Sequence, residues 1–292
     1  MNKPLTYLLI TGTAFGFNFP LGKLAVAAGV NPALWAIVIC LGAGVALLAV
    51  MALVEKSPAV PGIPRFAAIS GMISNVIPLF LTFAAIPHIG SGLAAILVAC
   101  SPVTTAMLSM ILRVRPPSPL ALSGVAVGLA GAIMIILARN ASFDTGESHW
   151  LFLAVLIPVF LGVGNVYRSI GWPRGAGPMR LGAMVNLSAV LPLLVVAYWW
   201  GGMDLAPLVG VPWLVAAQIT ASTIMYLTYF KLQDAGGPTY LAQLGYVAAV
   251  LSVAVGIVFL GETYPASVWA GVAVVAAGIA LTTLAQSQAA RN

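Results

Sequence analysis

The sequence predicts an all-α integral membrane protein, with ten transmembrane helices arranged as two inverted five-helix repeats around a central cavity. Three observations carry this expectation. The 292-residue chain is 61% hydrophobic and only 6% charged, its charge-poor intervals are long enough to cross a bilayer, and it resembles itself at an offset of 147 residues. A soluble domain carries roughly 25% charged residues. A surface this poor in charge needs lipid as its outer solvent, and lipid demands that backbone polar groups be satisfied within each segment. Leu, Ala, Val and Ile fall on every face of the long apolar runs, which suits helices and not the alternating strands of a barrel.

A crossing needs about 20 apolar residues. Residues 4–22 and 24–54 hold the first two predicted spans. Residues 66–112 are too long for one crossing, and Pro87-His88-Ile89-Gly90-Ser91-Gly92 is expected to break the helix and divide them into spans three and four. The remaining six fit near 118–138, 150–170, 180–200, 211–231, 238–260 and 265–285.

Cytoplasmic loops retain Lys and Arg. With the N-terminus inside, the inner segments hold ten basic residues: Lys3, Lys56, Arg65, Arg113, Arg115, Arg168, Arg174, Arg180, Lys231 and Arg291. The outer ones hold two, Lys23 and Arg139. Both termini are therefore expected in the cytoplasm of a cell that carries the chain in its inner or plasma membrane. The net charge of +6 is spread over many loops and calls for no nucleic-acid partner; the expected partners are the bilayer and a small molecule. Cys40 and Cys100 fall inside spans, where a thiol acts as a small apolar filler, so no disulfide framework or metal site is expected. Asn18, Pro20 and Lys23 interrupt the first apolar run, which favours a retained span over a cleaved signal peptide. The sequon Asn140-Ala141-Ser142 is read as a chance occurrence.

Gly124–Ala138 aligns without gaps to Gly271–Ala285, with identities that include Gly124/Gly271, Ala126/Ala273, Gly131/Gly278 and Leu137/Leu284. Asn18/Asn165 and Phe83/Phe230 keep the same offset. The predicted units are residues 1–140 and 147–287. An offset of five crossings turns the second unit upside down, and such symmetry suits a protein that alternates between inward-open and outward-open shapes about one site.

Polar groups inside hydrocarbon tend to face a cavity or pair with neighbours. The candidate substrate-binding residues are Asn18 in span one, Asn75 and Pro78 in span three, Ser101 and Pro102 in span four, Asn165 in span six, Tyr226 in span eight, and Gln243 and Tyr246 in span nine. Ser222 is a weaker candidate, because a hydroxyl can bond its own helix. Pro78 and Pro102 each free a backbone carbonyl and are expected to kink their spans beside Asn75 and Ser101. Phe15, Phe17, Phe19, Phe80 and Phe83 could line a cavity, although packing is the commoner use of such rings, and the tryptophans read first as interface anchors. Lys23, Lys231 and Glu262 sit near span ends and are read as structural. No acidic residue lies mid-span to relay protons, and no P-loop is present to drive transport with nucleotide. His88 and His149 fall in predicted outer turns away from any carboxylate pair, so no catalytic constellation and no cofactor are expected.

The segment Phe15-Gly16-Phe17-Asn18-Phe19-Pro20-Leu21-Gly22-Lys23, and Leu260-Gly261-Glu262 before a Gly-rich last span, resemble the drug/metabolite transporter superfamily in its ten-span form with two EamA-type repeats. The likeness covers nearly the whole chain. The first repeat departs from it, with Arg113-Val114-Arg115-Pro116 where a Gly-Glu pair would stand. Gly164-Asn165-Val166-Tyr167-Arg168-Ser169 with Gly171-Trp172-Pro173 is similar to the aromatic amino acid exporter branch. The resemblance implies a secondary transporter that exports small amphipathic metabolites, aromatic and other neutral amino acids foremost, and a monomer is expected. The alternatives are an exporter of another metabolite or drug on the same scaffold, or a membrane enzyme acting on lipids.

Overall fold

The computed structural model describes residues 3–54, 60–113, 118–140, 148–242 and 244–289. Lys56, Arg115, the Ala141-Ser142 part of the sequon, Gln243 and Arg291 lie outside the described residues. The described chain runs through α1 (Lys3–Ala27), α2 (Pro32–Val54), α3 (Ile63–Gly71), a π-helical turn (Met72–Val76), α4 (Ile77–Ile89), α5 (Ser91–Ala99) and α6 (Ser101–Ile111). It continues with α7 (Pro119–Asn140), α8 (Ser148–Gly171), α9 (Pro178–Trp199), α10 (Ala206–Gly210), α11 (Pro212–Ala242), α12 (Leu244–Leu260) and α13 (Ala266–Ala289).

Among the described residues, five helical stretches are long and apolar enough to cross a bilayer: Pro32–Leu53, Ile63–Ile89, Ser91–Ile111, His149–Gly171 and Met179–Trp199. Three shorter apolar helices, Leu122–Gly131, Leu244–Leu260 and Ala266–Gly278, accompany them.

Several boundaries differ from expectation, each for a local reason. The first helix does not stop before Lys23 but carries it inside α1, because the ammonium finds a carboxylate partner and needs no loop. Helix α4 passes through Pro87 and His88 to Ile89, and Gly90 alone separates it from α5. Gly90 has φ 86 and ψ 157, a backbone region that essentially only glycine occupies, so one residue makes the reversal. His149 lies in the first turn of α8 rather than in a loop. Helix α11 continues past residue 231 to Ala242, and the short α10 precedes it.

The two proline breaks fall where a missing N–H predicts them. Pro78 leaves the Ser74 carbonyl without its helical partner; just before it the chain widens into the π turn, in which the Ile77 N–H donates to the Met72 carbonyl five residues back. Pro102 likewise deprives Val98, and around it the bonds tighten: Cys100 donates to Leu97 at 3.0 Å and Val103 to Cys100 at 3.0 Å. Pro20 and Pro158, by contrast, sit inside unbroken α1 and α8.

Helix α7 packs along α13, α2 along α9, and α5 along α12. Helix α1 lies on α11 and α12, while α8 lies on α4 and α6; α3 meets α9, and α11 meets α2. At the 147-residue offset α1 corresponds to α8, α2 to α9, α3 with α4 to α11, α5 with α6 to α12, and α7 to α13, so each of these packings has a counterpart. The α7–α13 seam is reciprocal at its close backbone approaches. A Cβ at Gly131 would lie 2.9 Å from the Gly271 carbonyl oxygen, and one at Gly278 would lie 2.8 Å from that of Gly124.

The main apolar core joins α1, α2, α4, α5, α8 and α9. Trp35 lies fully buried in it, unlike the exposed Trp199, Trp200 and Trp213, so it packs the interior and anchors no interface. Phe19 and Phe83 are core residues as well, whereas Phe17 faces outward.

Candidate functional site

Three polar clusters and one ionic latch interrupt the apolar interior. The first cluster centres on Asn75, which the π turn pushes inward, 6% exposed. Its amide donates to Asn186 Oδ1 on α9 at 3.1 Å and approaches Cys40 Sγ on α2 at 3.9 Å. Asn186 in turn donates to the Gly182 carbonyl at 2.9 Å and faces the Tyr226 hydroxyl on α11. Asn75 and Tyr226, both expected at the site, thus meet through Asn186.

The second cluster joins α1 to α11. Gln218 is fully buried and donates to Asn18 Oδ1 at 2.6 Å and to Ser222 Oγ at 2.8 Å, while the Asn18 amide reaches Met225 Sδ at 3.7 Å. Gln218 Oε1 has no partner among the described residues. The third cluster joins α8 to α6: Asn165 donates to Thr105 Oγ1 at 3.0 Å, Thr105 donates to the Ser101 carbonyl at 2.7 Å, and Arg168 donates to Asn165 Oδ1. Asn18 and Asn165 stand 147 residues apart, as do Asn75 and Ser222, so corresponding positions of the chain carry corresponding polar groups.

Ser101 enters through its backbone carbonyl, Pro78 and Pro102 through the breaks they impose, and Tyr246 is half-buried against the main core. The sequence candidates did not include Asn186, Gln218 and Thr105. The first two are amides isolated in apolar stretches of α9 and α11, a signal as strong as that of Asn75. Thr105 carries no such signal, because a threonine can satisfy itself on its own helix.

At one end of the bundle Glu262 gathers five donors. The helix α12 ends at Gly261, whose φ of 64 turns the chain back so that the Glu262 N–H reaches the Gly256 carbonyl at 2.9 Å. The carboxylate then accepts Lys23 Nζ from α1 at 2.7 Å, the Ser91 N–H and Oγ at 2.7 Å each, the Gly92 N–H at 3.1 Å, and the Tyr264 hydroxyl. An anion at the start of α5 is favoured by the unpaired N–H groups and the helix dipole. Burial disfavours the charged carboxylate, but Lys23, Tyr264 and Ser91 outweigh it and hold Glu262 at about 2, below its ordinary 4.5. Lys23 and Glu262 do more than reach an interface: they tie α1, α5 and the end of α12 together. After α6, Arg113 takes a left-handed turn without a glycine, at φ 53.

Two hollows lie elsewhere. One of about 310 Å3 is apolar and runs between α5, α12 and α13; one of about 320 Å3 lies between α3 and α8 beside Arg65, Phe66 and Tyr167. Among the described residues no three His, Cys, Asp or Glu side chains come together as a metal site would require.

The chain is similar to the inner membrane transporter YedA of Escherichia coli, in the K12 strain and in the O6:H1 and O157:H7 strains. It is 29% identical over 250 residues, which cover 84% of this chain and 79% of each relative. A solved crystal structure shares the fold, with a TM-score of 0.64 at 20% identity over 96% of both chains. The apolar helices and the transporter relatives together describe a multi-pass membrane protein and point to transport rather than enzymatic turnover. The EamA-like transporter family matches residues 2–137 and 148–284, nearly the whole length, and the chain belongs to that family.

Proposed function

We propose that the protein is a ten-helix secondary transporter that exports small amphipathic metabolites, aromatic and other neutral amino acids foremost, by alternating access. Residues 1–140 and 147–287 act as two inverted halves, and both termini face the cytoplasm. The observation that carries this proposal is the correspondence of the polar clusters. Asn18 with Asn165, and Asn75 with Ser222, occupy equal positions in two sets of helices whose packings also correspond. A symmetric pair of halves around one polar belt is what an exchange between inward-open and outward-open shapes requires.

Asn18, Asn75, Asn165 and Tyr226, with the Pro78 and Pro102 breaks, form the substrate belt, and Gln243 and Tyr246 are further substrate-binding candidates. The belt is polar but carries no described carboxylate, which suits a zwitterion whose charges are met by amides, hydroxyls and an arginine. The Lys23–Glu262 latch closes the outer end.

Purified protein in liposomes, offered labelled amino acids, sugars and nucleosides with and without a pH gradient, tests the substrate class. Saturable flux of phenylalanine or leucine is expected; flux confined to sugars or nucleosides would rule out the amino acid assignment. Single cysteines at Arg113 and Thr263 should label from opposite faces of the membrane, and labelling from one face would refute the inverted halves.

A further inference from the structure

We propose that Arg168 recognises the carboxylate of the transported molecule, together with the Ser74 hydroxyl that packs against Gly164 one turn earlier on α8, and that this pair makes the protein selective for substrates bearing an anionic group. The assignment rests on the transport proposal and names the substrate chemistry of that same belt.

Arg168 and Arg180 are half-buried, whereas Lys23 is bound to Glu262, and Arg65, Arg113, Arg174 and Lys231 are exposed. Arg168 is half-buried in the last turn of α8, and its hydrogen bond goes to the carbonyl of Asn165, a neutral group. Of the two carboxylates whose side chains the structure describes, Glu262 is bound to Lys23, and Asp204 caps Ala206 at 2.9 Å. A guanidinium presents five N–H donors in a planar fork that matches a carboxylate, and one is engaged here.

The surroundings are built from donors. Asn165 is held by Thr105, so its carbonyl is aimed at Arg168 and fixes the fork. Gly164 lies one turn before Arg168 and therefore on the same face of α8. Its backbone runs so close to Ser74 that a Cβ there would strike the Ser74 hydroxyl. Ser74 is 7% exposed, and its Oγ has no partner among the described residues. The Tyr226 hydroxyl on α11 lies within the field of Arg168. The belt thus offers an arginine fork, an unspent hydroxyl and a phenol at one place, a set suited to a carboxylate and unsuited to an ammonium.

The test is competition in liposomes. Uptake of labelled phenylalanine is measured against unlabelled phenylalanine and against phenylalaninamide, which keeps the ring and the ammonium but lacks the carboxylate. Charge-assisted hydrogen bonds of this kind correspond to about a 10- to 100-fold preference, so wild type should favour phenylalanine by that factor. Arg168→Gln should raise KM by a similar factor with a smaller change in kcat and should abolish the preference. Arg168→Lys, which keeps the charge but not the fork, should restore part of it, and Ser74→Ala should weaken it. An Arg168→Gln protein that transports with wild-type KM and preference would overturn the assignment while leaving transport intact. Wild-type vesicles that carry no amino acid would overturn the substrate proposal and this assignment with it. Melting temperatures close to wild type distinguish lost recognition from lost folding.

Discussion

Replacing Glu262 by Gln removes one charge from the latch and nearly preserves its shape. The carboxylate sits at about 2 rather than 4.5, a lowering whose ceiling is roughly 3 kcal/mol at 1.36 kcal/mol per pH unit and which solvent screening of the part-exposed Lys23 reduces. An independent figure comes from the bonds: the Lys23 ammonium pair at 2.7 Å is charge-assisted at both ends, and such contacts contribute about 1.5–3 kcal/mol. The amide retains one acceptor, for Ser91, and turns an NH2 toward Gly92 and Tyr264, which want an acceptor. Opening of this end should therefore become easier by up to about 3 kcal/mol, or roughly 100-fold in population. The backbone N–H groups of Ser91 and Gly92 donate directly to the carboxylate, so their hydrogen exchange reports the latch itself. Exchange at the start of α5 should accelerate by about two orders of magnitude, while the buried N–H groups of α2 and α9 stay protected. Unchanged protection of Ser91 and Gly92 would refute the reasoning, because it would mean that packing alone, and not the carboxylate charge, holds this end shut.

Acid should act on the same group. Its folded value is depressed, so the stabilisation is fully present above about pH 4.5 and fades as pH falls toward 2; the melting temperature of wild type minus that of Glu262→Gln should be flat near neutrality and shrink below 4.5. Asn75→Ala and Asn186→Ala each leave the other amide short of a partner, and a double-mutant cycle on thermal stability should show a coupling of about 0.5–2 kcal/mol; additive losses would mean that the 3.1 Å bond contributes nothing. Gly278→Ala drives a methyl into the backbone of Gly128 and should lower stability by about 1–3 kcal/mol, and Gly131→Ala should match it across the seam; an unaltered melting temperature for either would contradict the close approach.

Charge spacing and proline chemistry made much of the architecture legible. Hydrocarbon tolerates so little charge that the gaps between Lys and Arg come close to tracing the helices, and Pro78 and Pro102 broke their helices because a missing N–H acts on the residue four places back. The π turn itself was not legible, since proline states that a bond is lost and not how the chain rearranges. Pro87, Pro20 and Pro158 lack the same N–H and left their helices unbroken, so the missing donor marks where a break is possible and not where it occurs. The site was half-legible. Asn75 and Asn165 announced themselves as amides in apolar runs, but their partners Asn186 and Thr105 are 111 and 60 residues distant, and only packing brings them together. Lys23 and Glu262, 239 residues apart, each looked like an ordinary span-end charge until they were seen as one pair.

The α7–α13 seam carries a consequence for how the chain could be cut. Gly131 fits against Gly271 as Gly278 fits against Gly124, so each helix presents to the other the surface that it receives. A self-complementary contact of this kind is isologous, the form found between identical subunits of a two-fold dimer. Nothing in it depends on the peptide link between α7 and α8. Residues 1–140 and 147–292 produced as separate polypeptides are therefore expected to find each other in the membrane through this seam.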